Sequence, residues 1–283
     1  MSTFITRLLF IVFLSLLSGT TNAQLDSIPI YLNNLPESLN ISIHAQMADG
    51  KILYTKSPDR RVPAASIIKV PILIELMRQA EAKQLKLKEK YTLQESDIVG
   101  GAGNIQKQPV GTTFTLQALA IEMIKESDNT ATNILIRKIG MTKVNDLLHR
   151  QRLTQTSLQR EMMDFAAIDK GRQNYTSAEE MNTLLKRLLN NELLSKKYTK
   201  KALLILRQCA DTTTIPRYLP TTLDIAHKTG TLDYVRGDSG ILFLKDNQLI
   251  LSIFVENFST FEEAEEVIGR IAKMLYFSVN NEQ

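Results

Sequence analysis

The sequence predicts an α/β (α+β) fold in which helices flank an antiparallel sheet and an all-α lobe is inserted into the chain. Three observations favour it: a β-hairpin pattern near the start, helical periodicity through the middle, and β-branched runs near the end. Strands at both ends can share one sheet when a separate lobe lies between them. We therefore expect a single domain over residues 24–283, with an α/β lobe at about 24–65 and 212–283 and an α lobe at about 66–211.

Each predicted element follows from a local pattern. The predicted strands show alternation or β-branched, apolar runs bounded by turn signals, and lie at residues 41–46, 51–55, 223–231, 239–245 and 249–256. The predicted helices show apolar residues at helical spacing, and lie at residues 25–35, 66–83, 115–124, 130–139, 141–149, 177–189, 199–208 and 261–277. A glycine-rich loop at 99–104 and a long surface loop at 157–175 interrupt the helical block.

The start of the chain has the pattern of an export signal. Arg7 precedes an apolar run over residues 8–14, and small and polar residues follow as far as Ala23. We interpret residues 1–23 as a signal peptide cut after Ala23, with an uncleaved N-terminal anchor as the alternative. The expected product is exported, periplasmic or secreted, without stable membrane insertion after the signal is removed.

Composition limits the partners. The formal net charge of +4 is too small to indicate nucleic-acid binding, and we expect a monomer with no nucleic-acid partner. The single cysteine, Cys209, excludes an internal disulfide framework and is expected to be a buried small hydrophobe, since nothing basic adjoins it in sequence. The histidines at 44, 149 and 227 have no metal-ligand spacing, so we expect neither a metal nor another cofactor.

A Ser-x-x-Lys pair provides the candidate nucleophile. Ser66 follows the small residues Ala64 and Ala65, and Lys69 stands one helical turn later, on the same face. A serine hydroxyl needs an adjacent base at neutral pH, and a lysine serves as that base only where its pKa is lowered. Such a pair arises about once by chance in a chain of this length, so its meaning depends on other motifs.

Two further motifs support a catalytic role for the Ser-x-x-Lys pair. Ser127-Asp128-Asn129 lies between helical segments, and Lys228-Thr229-Gly230 lies on the first late strand. The three motifs in this order are typical of class A β-lactamases and penicillin-binding proteins. The chain resembles that serine superfamily, and class A in particular, as a divergent member over nearly all of its expected mature length. The resemblance implies a β-lactamase/transpeptidase-like fold.

The resemblance also implies roles for the motif residues. Lys69 is the expected base for Ser66, while Lys228 lowers the pKa of Lys69 and receives a substrate carboxylate. Ser127 is expected to relay a proton to the leaving nitrogen, and Asn129 to hydrogen-bond a substrate amide.

The Lys228-Thr229-Gly230 motif and the residues that follow it on the chain would bind substrate. The N–H groups of Ser66 and Thr231 are the expected oxyanion donors. Thr229, Gly230 and Arg236 would complete the carboxylate site. Arg236 belongs to the stretch from Leu232 to Gly237, which is longer than in many class A enzymes.

Release of the acyl group is expected to depend on Glu161. Class A enzymes carry a glutamate on the loop after the second motif, and the count along this loop puts Glu161 at that position. Phe165 stands where an asparagine is expected, which puts efficient turnover in doubt. Two alternatives stay open: Glu161 as a surface residue paired with Arg160, and Asp164 as the base.

The sequence therefore predicts a serine β-lactamase that opens the β-lactam amide through an acyl-enzyme on Ser66 and then hydrolyses it. One alternative is a DD-peptidase-like hydrolase directed at peptidoglycan peptides. The other is a slowly deacylating penicillin-binding protein.

Overall fold

A computed structural model describes residues 25–280, so the predicted signal peptide lies outside the described residues. The strands are β1 Asn40–Met47, β2 Ile52–Lys56, β3 Val62–Pro63, β4 Lys90–Thr92, β5 Thr113–Thr115, β6 Tyr175–Thr176, β7 Asp224–Leu232, β8 Val235–Phe243 and β9 Gln248–Glu256. The helices are α1 25–33, α2 Lys69–Glu81, α3 Leu116–Lys125, α4 Asn129–Ile139, α5 Met141–Arg150, α6 Phe165–Asp169, α7 Ala178–Leu189, α8 Lys196–Leu206 and α9 Phe261–Asn280.

The main sheet joins the two ends of the chain. Its strand order is β2-β1-β9-β8-β7, and its neighbouring strands are antiparallel. Strand β1 pairs with β9 along its whole length, from Asn40 opposite Glu256 to Met47 opposite Leu249. The predicted α/β (α+β) fold with an antiparallel sheet is confirmed, and β7 is left as the edge strand that faces the helical region.

The sheet separates two apolar cores, because alternate side chains of a strand point to opposite faces. In β9, Leu251 and Ile253 pack with α1 and α9, whereas Ile250 and Phe254 pack on the other face. That second face belongs to the larger core, which includes α2 and the other central helices. Among the described residues, none of the helices combines the length and the apolar character that crossing a membrane requires.

The chain around Ser66 differs from the predicted long helix. Residues Ala65–Ile68 form a 3₁₀ turn, and α2 begins at Lys69. The extended strand β3 ends at Pro63, and Ala65 has a φ of 45°, so a regular helix cannot run back through this point. Pro71 also lacks the N–H that would bond to the carbonyl of Ile67 in a longer helix.

Two further elements differ from the sequence prediction. The loop over 157–175 contains the short helix α6, whose first turn is capped by the Asp164 carboxylate accepting from the N–H of Ala167. Strand β8 begins at Val235 rather than at residue 239, because a two-residue turn joins it to β7. Arg236 is therefore a strand residue opposite Thr231 instead of part of a long connection.

Gly237 in β8 lies where the sheet packs closely on the serine turn and on β9. A Cβ at this position would lie 2.6 Å from Cδ1 of Phe254 and 3.1 Å from Cδ1 of Ile67. Both neighbours are buried, so neither can move aside without disturbing the core.

We expect Gly237→Ala to lower the free energy of unfolding by about 1–3 kcal/mol, through overpacking. Gly100→Ala is the matched control, because a Cβ there meets no atom within 4 Å. Urea unfolding followed by circular dichroism measures both. Equal stability of the two variants would contradict the packing described for β8.

Candidate active site

A cleft of about 560 Å³ lies between the edge strand β7, the serine turn and the loop that leads into α4. Its lining includes six of the residues singled out in the sequence: Ser66, Ser127, Asn129, Lys228, Thr229 and Thr231. The three sequence motifs are therefore brought together at one place. Four others are not part of the cleft wall, namely Lys69, Gly230, Arg236 and Glu161, and Lys69 lies fully buried behind Ser66 and Ser127.

The Lys69 amine lies at the centre of this site. Its Nζ is 3.0 Å from Oγ of Ser66, 3.1 Å from Oγ of Ser127, 2.7 Å from the carbonyl oxygen of Ser127 and 3.0 Å from Oδ1 of Asn129. A neutral amine has two N–H donors and one lone pair. The two carbonyl oxygens can accept both protons, which leaves the lone pair for a serine hydroxyl.

The protein favours that neutral form. Lys69 is fully buried, and its burial is the main reason why its pKa lies well below the ordinary value. The positive charge of Lys228 lowers the Lys69 pKa further, while Asp128 acts in the opposite direction. The arrangement gives Ser66 the neighbouring base that its hydroxyl requires.

The second motif is held in a strained turn. Ser127 has a φ of 53°, which is uncommon for a residue with a side chain and directs its carbonyl to Lys69. Asp128 fixes the start of α4, because its carboxylate accepts from the N–H groups of Ala131 and Ile105 at 2.8 and 2.7 Å. Gly103 is required beside it, since a Cβ there would lie 2.2 Å from Oδ2 of Asp128.

The third motif lies on β7. Lys228 is buried and donates to the carbonyl of Thr229 at 2.9 Å, and burial is the main reason why the pKa of Lys228 is lowered. Gly230 acts through its size, because a Cβ there would lie 3.0 Å from the carbonyl oxygen of Ala64. The glycine lets the strand approach the serine turn, so Lys228 and Thr231 reach the cleft on either side.

Arg236 lies behind the cleft. It is 3% exposed, and its guanidinium donates to Oγ1 of Thr231 at 2.7 Å and to Asp211 at 2.7 Å. It also forms an ion pair with Glu265 at 2.9 Å. Arg236 therefore positions Thr231 and Asp211, both of which line the cleft, rather than facing the cavity itself.

The loop that carries Glu161 places this carboxylate away from the cleft. Oε2 of Glu161 forms an ion pair with Arg137 at 3.0 Å. Partial burial raises the pKa of Glu161, and Arg137 partly offsets that effect. Glu161 is therefore a surface residue in an ion pair, as one of the two alternatives expected, but its partner is Arg137 and not Arg160. Arg160 instead donates to the main-chain carbonyl of Glu161 at 2.9 Å.

Met162 takes the position that faces the cleft. Asn133 holds its backbone at both ends: the Met162 N–H donates to Oδ1 at 2.7 Å, and Nδ2 donates to the Met162 carbonyl at 3.0 Å. With the backbone fixed in this way, the side chain of Met162 is directed inward and that of Glu161 outward. Asp164 caps α6, and Phe165 is 62% exposed, so neither lines the cleft.

The sequence analysis missed several cleft residues, namely Arg160, Met162, Met163, Glu126, Cys209 and Asp211. None of them belongs to a short motif. Arg160, Met162 and Met163 reach the cleft on the loop at 157–175, and Cys209 and Asp211 reach it on the segment after α8. Glu126 lies at the end of α3, directly before Ser127. Of the described carboxylates in the cleft wall, Asp211 is bound to Arg236 and Glu126 forms an ion pair with Lys125 at 3.2 Å.

Comparison with known proteins gives a consistent result. A model of the Beta-lactamase enzyme family matches residues 30–279. Beta-lactamase VEB-1 of Pseudomonas aeruginosa is 29% identical over 276 residues, which cover 90% of this chain and 91% of that protein.

Two solved structures agree over almost the same span. A β-lactamase from Sphaerobacter thermophilus is 25% identical, with a TM-score of 0.80 over 92% of this chain and 97% of the other. PBP-A is 26% identical, with a TM-score of 0.83 over 92% and 96%. A PBP-A variant that matches equally well was solved as an acyl-enzyme complex with penicillin G.

Proposed function

Since the chain belongs to the Beta-lactamase enzyme family, we propose that it is a serine β-lactamase that opens the β-lactam amide through an acyl-enzyme on Ser66. The observation that carries the proposal is the contact of one buried amine, Nζ of Lys69, with Oγ of Ser66 at 3.0 Å and Oγ of Ser127 at 3.1 Å. This contact connects a nucleophile, its base and a proton relay.

In the acylation step, neutral Lys69 takes the proton from Ser66 while Oγ attacks the carbonyl carbon of the ring. Negative charge then develops on the carbonyl oxygen. The N–H of Ser66 in the serine turn and that of Thr231 on the edge strand are the proposed donors for this oxyanion. Donors fixed before the reaction stabilise the charge without reorganising when it forms.

Collapse of the tetrahedral intermediate needs a proton on the leaving nitrogen. Lys69 passes its proton to Ser127, and Ser127 donates its own to the nitrogen as the C–N bond breaks. Lys69 is neutral again when the acyl-enzyme has formed. Lys228 and Thr229 are the proposed partners of the substrate carboxylate, with Gly230 and Arg236 positioning their strand.

Further binding contacts come from the loop before α4. Asn129 lines the cleft beside the Lys69 amine and is the proposed hydrogen-bond partner of a substrate side-chain amide. The substrate is thus a small molecule with an amide in a ring and a carboxylate beside it. No metal or other cofactor takes part in the proposed reaction.

Hydrolysis of the acyl-enzyme requires a base for the attacking water. The carboxylate of Glu161 is bound to Arg137, and the carboxylates that do line the cleft, on Glu126 and Asp211, are each paired with a cation. Neutral Lys69, which lies behind the cleft wall and contacts Oγ of Ser66, is therefore the base that we propose for this step. It must serve both half-reactions, so we expect release to be slower than acylation.

The position of the Glu161 carboxylate outside the cleft also favours a second candidate function. A chain whose expected deacylating carboxylate is turned away from the cleft matches a slowly deacylating penicillin-binding protein, or a DD-peptidase-like hydrolase of peptidoglycan peptides. Similarity to PBP-A is compatible with this candidate as well. The two candidates share acylation on Ser66 and differ in how fast the acyl group leaves.

We further propose a class A enzyme that acts outside the cytoplasm as a monomer. Residues 1–23 have the order of charged, apolar and small-residue segments that directs export, so the mature protein is periplasmic or secreted.

Turnover of a chromogenic β-lactam such as nitrocefin, followed together with intact mass, tests the proposal. We expect multiple turnovers and a transient adduct on Ser66, because the lysine can act in both steps. Ser66→Ala should form no adduct, while the exposed control Ser96→Ala should behave as the parent protein does.

One adduct per protein that persists for hours would favour the penicillin-binding candidate over the β-lactamase. An adduct that survives in Ser66→Ala would contradict the assignment of the nucleophile.

The loop geometry leads to a separate prediction about release. Glu161→Gln should leave the deacylation rate within about twofold of the parent, because this carboxylate lies outside the cleft. Met162→Glu should raise that rate by about 10²-fold or more, since a carboxylate on the fixed backbone would face the acyl group.

Single-turnover mass spectrometry measures both rates. Accumulation of acyl-enzyme in Glu161→Gln would show that Glu161 leaves Arg137 and acts as the base, as the sequence analysis expected.

A further inference from the structure

Cys209 lies in a wall shared by two cavities. One is the serine cleft, and the other is a cavity of about 420 Å³ whose wall includes both Cys209 and His227. Cys209 is 9% exposed, and the side chains of His227 and Asp238 are grouped beside it. Cys209 is buried, as expected, and no basic residue adjoins it in sequence, but folding brings a histidine from β7 into the same cavity wall.

His227 connects the thiol to a buried carboxylate. Its Nδ1 lies 3.1 and 3.0 Å from the two carboxylate oxygens of Asp238, and its side chain lines the second cavity together with Cys209. Asp238 is itself fully buried and held in place, since it accepts from Oγ1 of Thr214 at 2.7 Å and from the N–H of Ile215 at 3.2 Å. The carboxylate thus orients the imidazole, and the imidazole lies in the same cavity wall as the thiol, near enough to act on its pKa. Nucleophile, base and orienting acid in this order are the parts of an activated nucleophile.

The strand register explains why these groups meet. His227 is opposite Gly240 in the β7–β8 pair, so Asp238 is its diagonal neighbour on the same face. A Cβ at Gly240 would lie only 2.6 Å from Cβ of His227. The glycine leaves room beside the histidine in a part of the sheet that is otherwise closely packed.

The charges around the thiol favour a thiolate. Burial raises the pKa of Cys209, but the charge and hydrogen bond of His227 and the charge of Lys228 outweigh burial and bring this pKa to about 7. Burial lowers the pKa of His227, but Asp238 and Cys209 outweigh that effect and raise it. The other charged groups in the walls of the two cavities are Glu126, Lys125, Arg160, Asp211, Arg207, Arg217 and Asp224.

We propose that Cys209, His227 and Asp238 form a nucleophilic thiol site, separate from Ser66, that takes small disulfides and other soft electrophiles. The Cys209 thiolate attacks one sulfur of the disulfide, a new S–S bond to Cys209 forms, and the original S–S bond breaks. The other half of the disulfide leaves as a thiolate and takes a proton from solvent. The disulfide is itself the oxidant, so no further reagent is needed.

The site does not depend on the proposed β-lactamase activity, because neither His227 nor Asp238 lines the serine cleft. A small reagent can approach from the second cavity, whose wall includes both Cys209 and His227. The protein therefore carries two nucleophiles, Ser66 in the serine cleft and Cys209 in the wall that this cleft shares with the second cavity. Each has its own base, Lys69 for Ser66 and His227 for Cys209.

Alkylation of the folded protein by iodoacetamide, measured by intact mass between pH 5 and 10, tests the proposal. We expect one adduct, located at Cys209 by peptide mapping, with a rate that rises around a midpoint near pH 7. Methyl methanethiosulfonate should give the corresponding mixed disulfide. Cys209→Ser should give no adduct, and Ser66→Ala should retain it, which separates this test from that of the serine site.

His227→Gln removes the cationic partner, so the midpoint should move up by at least one pH unit. His149→Gln, at an exposed helix end, is the matched control and should not move it. A midpoint at or above pH 8.5 in the parent protein would overturn the proposal, as would alkylation only at the rate of global unfolding. An unchanged midpoint in folded His227→Gln would also overturn it, and if that variant does not fold, the parent profile decides.

Discussion

Burial of one lysine amine is the constraint on which the rest of the site depends. An ammonium ion without solvent is costly, so the fold must either neutralise Lys69 or surround it with acceptors. It does both: two carbonyl oxygens, from Ser127 and Asn129, occupy the amine's donors, and Lys228 adds a nearby positive charge. The result is an amine beside Ser66 whose pKa lies well below the ordinary lysine value, as the proposed base requires.

The main chain is shaped to hold that amine in place. Positive φ angles occur at Ala65, Ser127 and Met163, in three of the segments that line the cleft, and such angles are uncommon for residues with side chains. Gly230 lets the edge strand approach the serine turn, and Gly103 gives room for the carboxylate that caps α4. Strained angles and close approaches thus occur at three points of the cleft where the reacting groups need fixed positions.

Sequence reasoning identified what is local and missed what depends on distant partners. Ser66 and Lys69 are three residues apart, so their contact follows from a single turn, and the late strand carrying Lys228 was recognised from its apolar pattern. The direction in which the Glu161 side chain points could not be predicted, because it depends on Arg137 in helix α4. Strand β8 was predicted to start too late, since its first residues include a buried arginine and aspartate that read as a polar loop. The partner of Cys209 was hidden for the same reason, because only the folded sheet brings His227 to it.

The pH dependence of Ser66 acylation tests the role of Lys69 most directly. The acylation rate should rise with pH as Lys69 loses its proton, with a midpoint well below the ordinary lysine pKa. Lys228→Gln removes a positive charge that lowers this pKa, so the midpoint should move to higher pH. Lys125→Gln, which removes a cleft charge that does not act on Lys69, should leave the midpoint in place. The same midpoint in Lys228→Gln and the parent protein would contradict the account.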